Sequence, residues 1–236
     1  VRYRQSVLRS GWSLLQPLTI LATYGWVLTA VLDIKPEDAP YLTFAWAGIV
    51  PFTFFAQSLS QGVGSIQQAG SVISRIYLPR EVFPLSVVAM SGVDLLIMLA
   101  TLIVVAWIQV GPPTMHLLGL IPVGLVLLIW TVVVTVAAAG LTVFRRDLNF
   151  AVPLAMRVLF IVTPVMYPAS LVAEQSEWLV RLNPLAVVVE GVRSSVYRAQ
   201  WPDMQLLGAH FVVAVLCLLV VSIGFRRAEP RMSDFV

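Results

Sequence analysis

Six long apolar runs, separated by short gaps that hold almost every cationic residue, restrict this chain more than any other feature of it. Residues 11–32, 41–64, 83–108, 117–144, 148–167 and 206–225 are predominantly apolar, and about 20 such residues suffice for a helix to cross the hydrocarbon core of a bilayer. The reading is an all-α polytopic membrane protein with six transmembrane helices. An even number of spans puts both termini on one side.

The gaps assign the sides. Arg2, Arg4 and Arg9 precede the first run, and Arg75 and Arg80 lie in the second gap. The fourth gap contributes Arg145, Arg146 and Arg157, and Arg226, Arg227 and Arg231 follow the last run. The other gaps hold Lys35, Arg181, Arg193 and Arg198, outnumbered by Asp33, Glu37, Asp38, Glu174, Glu177, Glu190 and Asp203. Lys and Arg accumulate on the cytoplasmic side, so both termini and the second and fourth gaps are expected to be cytoplasmic, with Gln68 and Asn149 inside and Glu174 and Asp203 outside.

Composition supports this class: 59% hydrophobic residues and 11% charged, against roughly a quarter charged in soluble domains. The loops are too short for a further soluble domain, so residues 1–236 read as one transmembrane domain. Within it, 1–16 form an interfacial helix, 17–225 the six-span bundle and 226–236 a cytoplasmic tail. The basic balance does not indicate nucleic acid, because the arginines are divided among membrane borders instead of forming one stripe. The single Cys217 reads as a structural thiol in the last run. A chain that opens without Met inside a polar helix is expected to be preceded by further residues.

The N-terminal segment presents Arg2, Gln5, Arg9, Ser13 and Gln16 on one face and Tyr3, Val7, Leu8, Trp12 and Leu15 on the other. That pattern suits an amphipathic helix lying in the membrane interface, and Pro17 marks the bend into the bilayer. The cytoplasmic corners 65–80 and 144–149 are either purely topogenic or docking points for a cytoplasmic partner.

On the outer side the gap after Pro168 is too long for a minimal turn. Ser176 is a candidate N-cap for residues 177–182, and Asn183-Pro184 supplies a cap and a first-turn proline for residues 184–197. These segments read as a re-entrant or surface pair of short helices. Tyr41, Phe44, Trp46, Phe52, Phe54, Phe55, Phe160 and Tyr167 gather towards the same side. An interfacial aromatic belt accounts for Trp and Tyr there; Phe52, Phe54, Phe55, Phe160 and Tyr167 could alternatively line a channel for sugar rings.

The chemistry of ATP binding is missing. A phosphate-binding G-x-x-x-x-G-K-[ST] loop needs a lysine, and the sole lysine, Lys35, lies in an outer gap. Gly62-Val63-Gly64 is explained by close helix packing. His116 and His210 lack ligands at metal spacing, and neither G-x-S-x-G nor H-E-x-x-H occurs. The reading is therefore a transport subunit, not an enzyme, with no cofactor or metal of its own. Asp94, near the middle of the third run, must face protein or water. It is either a proton-coupling carboxylate or a hydrogen-bonded structural group.

Several stretches carry a family resemblance: R-Y-R-Q-S-V-L-R-S-G-W-S-L-L-Q-P-L at 2–18, R-E-V-F-P at 80–84 and F-R-R-D-L at 144–148, then T-P-V-M-Y-P at 163–168, L-N-P-L at 182–185 and the tail A-E-P-R-M-S-D-F-V. In this order they resemble the membrane subunits of ATP-binding-cassette exporters for O-antigen, capsule and teichoic acid. The resemblance implies a homodimer in the bacterial plasma membrane and two cytoplasmic ATP-binding subunits that hold ATP and Mg. It also implies a channel for polysaccharide linked to undecaprenyl diphosphate. Carried over by position, Arg75, Arg80 and Glu81 and then Arg145, Arg146 and Asp147 fall at contacts coupling to the ATPase, and Asn183 and Pro184 start an outer gate helix. The rival readings are a proton-coupled secondary carrier and an intramembrane lipid-processing enzyme.

Overall fold

Among the described residues, four of the apolar runs form helices long enough to cross a bilayer. A computed structural model of the chain describes residues 39–69, 78–168 and 177–232, with isolated positions between 19 and 27. The expected first span, the interfacial helix, Arg75, Glu174 and Ser176 lie outside the described residues. Among those described, the elements are α1 (Tyr41–Gly62), α2 (Ser65–Gln68), α3 (Val82–Gln109), a 3₁₀ turn (Met115–Gly119), α4 (Leu120–Phe144), α5 (Leu148–Val162), α6 (Glu177–Leu182), α7 (Pro184–Val196) and α8 (Met204–Met232).

Helix α1 is the hub. It packs against α3, α4, α5 and α7, and Ala45, Ala47, Ile49, Val50 and Phe54 along it are almost fully enclosed. Small residues permit this closeness, since lipid tails give apolar helices no reason to associate beyond contact itself. A Cβ at Gly62 would stand 2.1 Å from Thr135 Cγ2 on α4, and one at Gly48 would stand 2.3 Å from the Val165 carbonyl oxygen. The Gly62-Val63-Gly64 stretch thus includes a packing position. Two threonines inside α4 are satisfied locally: the Thr131 and Thr142 hydroxyls donate to the carbonyls of Leu127 and Ala138, one turn back. Conversely, Val93, Leu96 and Ile108 on α3 and Leu216, Val220 and Ile223 on α8 are exposed, as lipid-facing residues must be.

The fifth run departs from expectation. Instead of one span over 148–167, α5 stops at Val162 after 15 residues, a rise of about 22 Å against a hydrocarbon core of about 30 Å. Pro164 is the cause, because proline excludes the helical conformation from the residue before it, and Thr163 is extended at φ −81°, ψ 131°. The chain then turns through 163–168 beneath α1.

Of the pair of short helices beyond, α6 exposes Trp178, Arg181 and Leu182, whereas α7 is enclosed. In α7, Leu185, Ala186, Val188, Val189 and Val192 are buried, and the helix packs against α1 and α4. Its start follows the expected chemistry, with Asn183 Oδ1 accepting from the Leu185 N–H at 3.0 Å and Pro184 in the first turn. At the far end of the bundle a second apolar cluster joins Ile66, Val136, Ala139, Val143, Phe225 and Met232.

Candidate functional site

The arginine-bearing gaps meet at one end of the bundle. Gln67 donates to the Thr142 carbonyl at 2.9 Å and accepts from Asn149 Nδ2 at 3.1 Å, so the corner before α3 is fastened to the corner between α4 and α5. Arg80 is buried; its N–H donates to Glu229 Oε1 at 3.2 Å and its Nη1 to the Glu229 carbonyl at 3.3 Å. The R-E-V-F-P stretch is thereby tied to the A-E-P-R tail at the end of α8. Glu81 is partly buried, and among the described residues its Oε1 has no hydrogen-bond partner. By contrast Arg145, Arg146 and Asp147 are exposed at the corner between α4 and α5. Of the residues expected to couple to a partner, this corner is the part that presents charge outward, whereas the Arg80 guanidinium is spent inside the protomer.

At the opposite end a buried arginine organises the hairpin. Arg193 is 1% exposed; its Nη2 donates to the Val165 carbonyl at 2.8 Å, its guanidinium lies 3.8 Å from the centre of the Phe44 ring, and Nη1 is 3.8 Å from Glu190 Oε2. Burial pulls the guanidinium down to about 10, opposed by Tyr197 and Glu190, so it stays charged at neutral pH. Glu190 also pairs with Arg198. The 163–168 turn is held at two further points: Tyr41 OH donates to the Met166 carbonyl at 3.2 Å, and Asn183 Nδ2 donates to Thr163 Oγ1 at 2.9 Å. Asn183 therefore caps α7 and anchors it to the end of α5.

The aromatic residues divide. Phe54 and Phe55 are 1% and 5% exposed, enclosed by the chain's own helices as part of the core. Phe52, at 7%, meets the partly buried Phe160 edge-on with centroids 5.1 Å apart. Tyr167 folds back and donates to the Ile161 carbonyl at 2.9 Å, closing the last turn of α5. Asp94 is half-buried on α3. His116 stacks edge-on with Trp201 at 5.4 Å, while His210 Nε2 lies 2.9 Å from the Arg181 carbonyl.

Arg157 stands elsewhere than expected. It belongs to no gap: it sits inside α5, on the face away from α1, in a row with the exposed Phe150, Leu154, Val158 and Ile161. Counted from Leu148 it is about 14 Å along the helix, a distance of about half the thickness of a 30 Å hydrocarbon core. Among the described residues it has no ion pair or hydrogen bond.

The ABC-2 type transporter family matches residues 1–197. The chain belongs to that family. It is 28% identical over 236 residues to the O-antigen export system permease protein RfbA of Myxococcus xanthus, covering 99% of this chain and 89% of the relative. A Klebsiella pneumoniae protein of the same name is 28% identical over 237 residues, covering 100% and 90%. The charged corner, the proline-framed turn and the capped α7 of this ABC-2 transporter subunit were legible as motifs. Arg193 and Glu229 were not singled out, although Arg193 falls on the apolar stripe of its helix, one and two turns after Val189 and Ala186, and that placement was the available signal.

Proposed function

We propose that this ABC-2 transporter subunit forms the membrane channel of an ATP-driven exporter that moves lipid-linked polysaccharide, of the O-antigen kind, out across a bacterial plasma membrane. The observation that carries the reading is Arg157 on the exposed face of the half-length helix α5. A lone cation at mid-depth costs at least about 2.5 to 3.5 kcal/mol against lipid, so that face borders water or protein. A second copy of the chain, set with its α5 face towards the first, would enclose an aqueous path with arginine in its wall, suited to a hydrated, anionic cargo. Relatives that match almost the whole chain are named for O-antigen export, which supports polysaccharide as the cargo.

Energy then comes from two copies of a separate ATP-binding subunit carrying ATP and Mg, a reading supported by the lack of a G-x-x-x-x-G-K-[ST] motif in this sequence. Those subunits dock at the end bearing Arg145, Arg146 and Asp147, which faces the cytoplasm together with both termini. The fastening of one corner to the other through Gln67 and Asn149 lets a push at either reach α1, α4 and α5 together. Asn183 and Pro184 start α7, the element whose release from Val165 and Thr163 would open the outer end.

The test is loss and restoration of export in cells. Removing the chain should leave polysaccharide on its lipid carrier inside the cell, and the native sequence should restore surface polymer. Arg157→Leu should restore less than a tenth of it at equal membrane abundance. Full surface polymer without the chain would refute the function; full restoration by Arg157→Leu would refute the path along α5.

A further inference from the structure

Three hydroxyls inside the bundle depart from the habit of their neighbours. Those of Thr101, Thr131 and Thr142 each donate to a carbonyl one turn back along their own helix. Ser58 on α1, Ser91 on α3 and Thr135 on α4 are fully buried, yet among the described residues none of their hydroxyl oxygens has a hydrogen-bond partner. Each buried hydroxyl without a partner costs about 1 to 3 kcal/mol.

Helical spacing brings the three to one junction. A Cβ at Gly62 would stand 2.1 Å from Thr135 Cγ2, so Thr135 faces α1, and Ser58, one turn before Gly62, points within about 40° of the same direction. Thr43 Oγ1 on α1 donates to Gln109 Oε1 on α3 at 2.7 Å, and Ser91, about five turns before Gln109, returns to the line that faces α1. Measured from that contact, Ser58 lies about 22 Å along α1, Ser91 about 27 Å along α3, and Gly62, opposite Thr135, about 28 Å along α1. The hydroxyls therefore share a layer about 6 Å deep, where α1 packs against both α3 and α4. Asp94, three residues after Ser91, is turned by about 60° to the half-buried flank of α3. Three neutral hydroxyls bring no charge to hold an ion, so their common ligand is a small neutral molecule that both donates and accepts. We propose that the junction of α1, α3 and α4 holds an ordered water that bridges Ser58, Ser91 and Thr135. Such a water spans polar groups that face one another beyond direct reach, and it ties the hub helix to two others at a depth where lipid supplies no hydrogen bond.

Solid-state NMR of the full chain in proteoliposomes, carbon-13 labelled at serine and threonine and read by magnetisation transfer from water protons, tests this. The Cβ signals of Ser58, Ser91 and Thr135 should receive magnetisation at least about a third as fast as that of the exposed Thr114, and several-fold faster than that of Thr142, which is buried and bonded to its own helix. Ser58→Ala with Ser91→Ala removes two of the three partners, and transfer to Thr135 should then fall to the level of Thr142. Transfer to the three in the native chain no faster than to Thr142 would mean that each hydroxyl turns back onto its own helix, as those of Thr131 and Thr142 do, and would overturn the assignment. Undiminished transfer to Thr135 in the double variant would overturn it as well. Should that variant fail to insert, the comparison within the native chain still decides.

Discussion

Arg193 joins three segments at its end of the bundle. One guanidinium donates to the carbonyl of Val165, lies over Phe44 and meets Glu190, joining α7, the 163–168 turn and α1 at a point that water does not reach. A charge-assisted hydrogen bond of this kind contributes about 1.5 to 3 kcal/mol. Arg193→Ala should therefore lower the thermal midpoint of the detergent-solubilised chain by several degrees, and Arg193→Lys should recover part of that, because an ammonium keeps the charge but not the planar fork. The two arginines of the opposite end separate by the same reasoning. Arg146→Glu, at the exposed corner, should leave the thermal midpoint unchanged while weakening co-purification of the ATP-binding subunit. Arg80→Ala should lower the midpoint, since it removes the buried guanidinium that donates to the Glu229 carbonyl, while the backbone N–H bond to the Glu229 carboxylate stays. Normal assembly and export with Arg146→Glu would leave the corner with a topogenic role alone.

At the scale of elements, the contact between α1 and α4 rests on the missing side chain of Gly62. Gly62→Ala places a methyl 2.1 Å from Thr135 Cγ2 and should cost about 1 to 3 kcal/mol as overpacking. Thr135→Ser removes the opposing methyl and should restore the thermal midpoint in the double variant; failure of that rescue would place the strain elsewhere. Helix identity was readable because apolar runs of spanning length leave the backbone little alternative in lipid. The shortness of α5 was readable too, in Pro164, yet run length was allowed to outweigh the proline. What hydropathy hides is the burial of α7: Glu190, Arg193 and Arg198 make its stretch look like a surface loop, and only the pairing of those charges with one another and with Val165 reveals why it can be enclosed.

For the whole molecule, the structure gathers Gln67, Arg80, Arg145, Asn149 and Glu229 at one end and Tyr41, Gln109, Thr163, Asn183 and His210 at the other, the arrangement an alternating chain requires. In a Cys217→Ala background, cysteines at Gln68 and Asn149 should be shielded from an impermeant thiol reagent in intact cells, and one at Asp203 should react. Labelling at 68 but not 203 would invert the orientation. The position of the proposed channel was the least legible property, because a channel between two copies, as proposed, would be set by faces that one sequence leaves unpartnered. Phe54 and Phe55 satisfy the aromatic pattern of a lining yet are core, while Arg157, which the gaps absorbed as a border charge, stands on the open face. The most direct measurement of the central claim uses proteoliposomes containing this chain and its ATP-binding subunit, with lipid-linked glycan added outside and a lectin trapped within. Glycan should reach the lectin when ATP is supplied to outward-facing ATPase subunits, and not with ADP, with a proton gradient alone or with Arg157→Glu; transfer that follows the proton gradient without ATP would contradict the account.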